Sequence, residues 1–197
     1  MKKSLFIPAG LLAALTVAAL PGCSTNTQGD SASPVFLAGQ FTLLPLQKCV
    51  NEPTVLQFQT TTLVNRLKIL GPSSTQFLDV QVDSYVVVWR RIDGGTTASP
   101  SQTFGGNVIV PPNGTSTLTD YPYMSADNLL RPPLDQLFPF NGGVDKETGR
   151  AEIRESGSVT WYGHTLSGQP VVSGVATFDM IFLYCGSAGR IEAKRAQ

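Results

Sequence analysis

The sequence predicts an all-β fold, an antiparallel sandwich, and three observations carry that reading. Apolar and polar residues alternate along residues 77–92 and 171–184, the period of a strand with one buried and one wet face. Clusters of Gly, Pro, Asn and Asp separate these and several shorter β-branched runs. Charged residues make up 14% of the 197-residue chain, against about 25% in typical domains. Thr, Ser, Gly, Pro and Val take their place.

The first element is not a strand. Lys2 and Lys3 precede an apolar core over residues 5–20, and Leu20-Pro21-Gly22-Cys23 follows. A spanning helix needs roughly 20 apolar residues; this core is shorter and carries Pro8 and Pro21, which suits a signal peptide better. The segment resembles a bacterial lipoprotein signal peptide, with Leu20, Gly22 and Cys23 as its lipobox. The resemblance implies cleavage after residue 22 and acylation of Cys23 with fatty chains such as palmitate, two of which already suffice for stable anchoring. By the same resemblance Ser24, rather than Asp, argues for the outer membrane. The expected organisation is a signal peptide over 1–22, a lipidated flexible tether over 23–34 and one β-sandwich domain over 35–197. Residues 24–34 are small, polar and without periodicity, as a tether would be.

Within the domain, Val55–Thr61 is β-branched and partly alternating. Leu63–Leu70 follows as a strand or a short helical turn, closed by Gly71-Pro72. Residues 77–92 give the strongest strand, with Leu78, Val80 and Val82 against Asp79, Gln81 and Asp83, and Asp93-Gly94-Gly95 is a favoured hairpin turn. Asn107–Val110 and Thr115–Thr119 flank Pro111-Pro112-Asn113-Gly114. Two long strands, about 151–162 and 171–184, are joined by a hairpin-length loop over 163–170. The pattern is similar in general character to immunoglobulin and fibronectin-type sandwiches, without the tryptophan-and-cysteine framework of true immunoglobulin domains.

Residues 120–143 break the pattern and predict a short helical or irregular insertion. Ser125 can cap a short helix over 126–130 that Pro132 must end, and 133–137 suits a second turn. Tyr121, Tyr123, Phe138 and Phe140 cluster there as a cap over one end of the sandwich or as anchors for a partner.

With Cys23 committed to lipid, Cys49 and Cys185 form an even pair in an exported chain, most simply a disulfide. Lys2 and Lys3 leave with the signal, so 12 of the 14 basic residues face 14 acidic ones. Near-neutral, scattered charge gives no footprint for nucleic acid. His164 is the single histidine and falls in the expected 163–170 loop, and Gly-x-Ser-x-Gly is absent from the chain. Asp79 with Asp83 reads as a wet strand face, and Asp145-Lys146-Glu147-Thr148-Gly149 as a turn rather than a calcium loop. No cluster of His and Cys suggests zinc. Trp89 and Trp161 are expected in the core. No catalytic residue, metal or cofactor is expected. The function these features support is a membrane-tethered module of the cell envelope or periplasm that binds, or structurally assists, another envelope protein. A glycan- or small-ligand-binding lipoprotein is the alternative, and a hydrolase around His164 or a carboxylate pair the least supported reading.

Overall fold

The structure, a computed structural model, describes residues 33–42, 46–68 and 76–186. The signal peptide, Cys23 and most of the tether therefore lie outside the described residues, as do Ile69, Leu70 and Gly71-Pro72.

Among the described residues, nine strands form two packed sheets: β1 Val35–Thr42, β2 Gln47–Cys49, β3 Leu56–Leu67, β4 Val80–Arg91, β5 Gln102–Val110, β6 Thr115–Met124, β7 Glu152–Thr165, β8 Pro170–Val172 and β9 Ala176–Leu183. One sheet has the order β1-β3-β6; the other runs β2-β9-β7-β4-β5, with β8 paired to β7. All pairings are antiparallel except β2 with β9, which is parallel, a departure from the wholly antiparallel expectation.

Residues 56–67 form a single strand rather than two elements. Its inward phase slips from Phe58 to Thr61, alongside Asp120 of β6, which adopts φ +57°. That slip is why the sequence alternates only partly. In β4, Val80 and Val82 point inward as expected, but the register shifts between Val82 and Ser84. Beyond this bulge the inward residues are Tyr85, Val87, Trp89 and Arg91. A one-residue shift flips every later side chain to the other face. The turn at Asp93-Gly94-Gly95 does not close a tight hairpin: residues 92–101 intervene before β5. Strand β7 turns directly into short β8, and its first half pairs with β9, so the expected second long strand is divided into β8 and β9.

The core between the sheets is strongly aromatic. Phe58 meets Phe178 edge to face at 5.4 Å, Trp89 meets Phe178 at 5.3 Å, and Tyr85 lies 4.2 Å from Trp161. Trp89 and Trp161 are buried, as expected. Such pairs contribute about 0.5–1.5 kcal/mol each beyond the area they bury. Cys49 and Cys185 form the expected disulfide, with Cα atoms 5.3 Å apart across a sequence separation of 136. It reinforces the β2–β9 edge, where Asn51 also donates to the Cys185 carbonyl at 2.9 Å and accepts from the Cys185 N–H at 3.0 Å.

Candidate functional site

The four aromatics expected to cluster as partner anchors divide into two pairs. Tyr121 and Tyr123 are not in an irregular loop; they belong to β6, which runs on to Met124. Tyr123 is 2% exposed and its hydroxyl donates to Met180 Sδ at 3.8 Å, while burial pushes its pKa up to about 12. Tyr121 packs against the core, with ring centroids 5.8 Å from Tyr85 and 6.1 Å from Trp161. Tyr123 is therefore no surface anchor, which corrects the sequence reading for that residue, and Tyr121 is partly buried.

Phe140 reaches the surface, and Phe138 beside it is partly buried against the core. Their ring centroids lie 5.3 Å apart, and Tyr184, just past β9, meets Phe138 at 5.7 Å, nearly edge on. Phe140 is 81% exposed. Beside the triplet is a hollow of about 480 Å³ lined by Arg150, Ala151, Glu152, Leu183 and Tyr184. Tyr184 carries no recognition signal in the sequence, where it reads as the last residue of a strand.

The segment carrying Phe138 and Phe140 is a run of 3₁₀ turns over Ala126–Leu130, Leu134–Leu137 and Pro139–Asn141. Leu129, Leu134 and Leu137 are fully buried and dock it on the core. Ser125 does not cap the first turn through its side chain. Instead Gln102 of β5 brackets it, accepting from the Ser125 N–H at 2.9 Å and donating to Ser125 Oγ at 2.7 Å. Asn128 donates to the Pro100 carbonyl at 3.1 Å, and the Lys146 N–H donates to Gln136 Oε1 at 2.8 Å. The segment is thus a fastened cap.

An ionic knot fixes its return to β7. The bulge in β4 turns Arg91 inward, where its Nε donates to Asp93 Oδ1 at 2.8 Å and Nη2 to Asp145 Oδ2 at 2.7 Å. Nη1 donates to the Thr97 carbonyl at 3.2 Å. Both carboxylates are enclosed. Burial pushes Asp93 up, but the guanidinium and the N–H groups of Arg154 and Gly95 more than offset it and hold its pKa at about 2. Burial likewise opposes ionisation of Asp145, and Arg91 and Thr148 outweigh it. The Glu147 carboxylate accepts from the backbone N–H of Thr96 and from the N–H and hydroxyl of Thr97, which lowers its pKa to about 2. Glu155 faces inward on β7, fully buried; burial raises its pKa, and its Oε1 accepts from the Ser99 N–H at 2.8 Å. The 145–149 segment is the expected turn, with Gly149 at φ +71°, and its carboxylates fasten chain to chain.

His164 lies on β7, not in a loop, opposite Gln81. Its Nδ1 is 2.9 Å from Oδ2 of Asp83, the exposed extra residue of the β4 bulge. A carboxylate–imidazole pair also occurs in hydrolytic triads, but this one is exposed, and among the described residues no hydroxyl or thiol hydrogen-bonds the imidazole. No group of three or more His, Cys, Asp and Glu is placed to hold a metal among the described residues.

No family model matches this chain, and no curated protein matches it. Among solved structures it is similar to an X-ray structure of a Northeast Structural Genomics Consortium target, SoR45, with 11% identity, 78% of this chain and 89% of that chain covered, and a TM-score of 0.36.

Proposed function

We propose that the protein is a lipid-anchored module of the cell envelope, held on the outer membrane through Cys23, that binds another envelope component through its membrane-remote end. The observation that carries this reading is positional. The described chain enters β1 at Val35, opposite Leu67 of β3. Asn65, two residues from Leu67, donates to the carbonyls of Leu78 and Val110, so that end of the sandwich also holds the start of β4 and the end of β5. The aromatic triplet lies at the other end, beside Leu183 and Glu152, which begin β7's pairing with β9. The 14 residues of β7 separate the two ends by about 43 Å at roughly 3.3 Å per residue. A flexible tether that enters at one end leaves the opposite end, with exposed Phe140, free to reach away from the membrane. Tethering also raises the effective concentration of the domain near partners on the same membrane.

The test is site-specific photo-crosslinking in intact cells, with the crosslinking residue at Phe140 and, as a control, at Ile109, which is 49% exposed at the tethered end. The expected result is one discrete envelope-protein adduct from position 140, absent from position 109 and lost in a Cys23→Ser background. No adduct at 140, or the same adducts from both positions, would refute the proposal.

A further inference from the structure

A second concave site lies apart from the aromatic triplet, in a cleft of about 520 Å³ between the β2 edge of one sheet and the face of the other. From its chemistry we infer that it binds a neutral, polyhydroxylated ligand of one or two sugar rings. Ligand sites commonly occupy about 300–1,000 Å³. The primary amides of Gln47, Gln57 and Gln59 line this one. Each amide offers two donors and an acceptor, and each sugar hydroxyl is likewise both donor and acceptor. The charged residues on the wall are Lys48, Glu52 and Asp120. Lys48 Nζ already donates to Thr54 Oγ1 at 2.9 Å, and the two carboxylates outnumber it, which disfavours a phosphorylated or otherwise anionic ligand. Val55, 50% exposed, gives the cleft an apolar surface for the face of a ring, and Tyr123 and Met180 lie buried beneath it.

Two backbone irregularities meet at this wall. The β3–β6 register shifts between Leu56 and Gln57, and Asp120 adopts φ +57°, a conformation costly for a residue with a side chain. Gln57 Nε2 spans them, donating to the Asp120 carbonyl at 2.8 Å. Bulges of this kind re-aim side chains and cluster near functional sites. Here they bring Gln57, Gln59 and Asp120 to one rim.

The test is a titration of the full-length lipoprotein in detergent with maltose, N,N′-diacetylchitobiose and glucose 6-phosphate, followed by calorimetry. At least one neutral disaccharide is expected to bind saturably and more tightly than glucose 6-phosphate. Gln59→Ala and Gln47→Ala, whose side chains make no hydrogen bond to other described residues, are expected to weaken that binding tenfold or more with the unfolding midpoint unchanged. Phe140→Ser, at the separate aromatic triplet, is expected to leave it intact. Failure of both disaccharides to bind, tighter binding of the phosphorylated sugar, or binding insensitive to both glutamine substitutions would overturn the inference.

Discussion

Replacing Asp93 with Asn tests whether the ionic knot stabilises the fold as a charged unit. Asp93 is enclosed, and its pKa falls from the ordinary 3.8 to about 2. Each unit corresponds to about 1.4 kcal/mol, so the charged form contributes about 2.5 kcal/mol. The folded-state value is depressed, so this stability is present above about pH 4 and is lost as the pH falls towards 2. Linkage places about 2 kcal/mol of the loss at pH 2. Urea unfolding of the wild type and Asp93→Asn at pH 7 and pH 2 measures it directly. The variant is expected to be about 2.5 kcal/mol less stable at pH 7 and nearly equal at pH 2. Glu147 titrates in both proteins, whereas Asp145 shares Arg91 with Asp93, so the difference reads Asp93 together with its coupling to Asp145. An unchanged gap between the proteins at the two pH values would refute the reasoning, because it would mean that Asp93 contributes by shape and not by charge.

Two further substitutions probe the frame. Removing the disulfide with Cys49→Ala and Cys185→Ala releases a loop of 136 residues in the unfolded chain, and chain entropy assigns about 5 kcal/mol to it; denaturant titration with and without reductant should show wild type and variant converging when reduced. At Gly163 an added Cβ would lie 2.9 Å from Val82 Cα and closer still to the Gln81 carbonyl, whereas at Gly105 nothing lies within 4 Å. Gly163→Ala is expected to cost about 1–3 kcal/mol or more by forcing β4 and β7 apart, and Gly105→Ala less than about 0.5 kcal/mol, both read from urea midpoints.

Much of the frame was legible because it follows from local pattern. The alternation at Val80 and Val82 reappears as buried side chains, although Phe77 and Leu78, expected in the same strand, fall in a 3₁₀ turn over Gln76–Leu78, and the even cysteine pair reappears as a bond. What escaped reading arose where the backbone departs from period two. Arg90 and Arg91 look alike in sequence, and the Val82/Ser84 bulge decides that Arg91, not Arg90, faces inward. The ionic knot follows from that flip and had no sequence signal of its own. Similarly, Asp120 and Pro122 read as strand breakers. In the fold Asp120 takes the left-handed conformation and Pro122 lies on β6, at the edge of its sheet and beside a register shift. An edge or bulge is where a strand tolerates proline. So β6 carries Tyr121 and Tyr123 into the core, and half of the expected recognition cluster became packing. Phe138 and Phe140 were legible as surface candidates, but Tyr184 reaches them from a distant part of the chain, and that meeting is a product of tertiary structure.

The path of β1 has a mechanical consequence. The chain comes in at Val35 and runs along β3 as an eight-residue antiparallel ladder towards the end that carries the aromatic triplet. If the membrane holds residue 35 and a bound partner pulls on the far end, the load runs along the strands, across hydrogen bonds that lie perpendicular to it. The ladder is then sheared with all its rungs loaded together, instead of being opened one rung at a time. Such a domain would transmit tension between a bilayer and whatever it grips without peeling apart from its tethered edge.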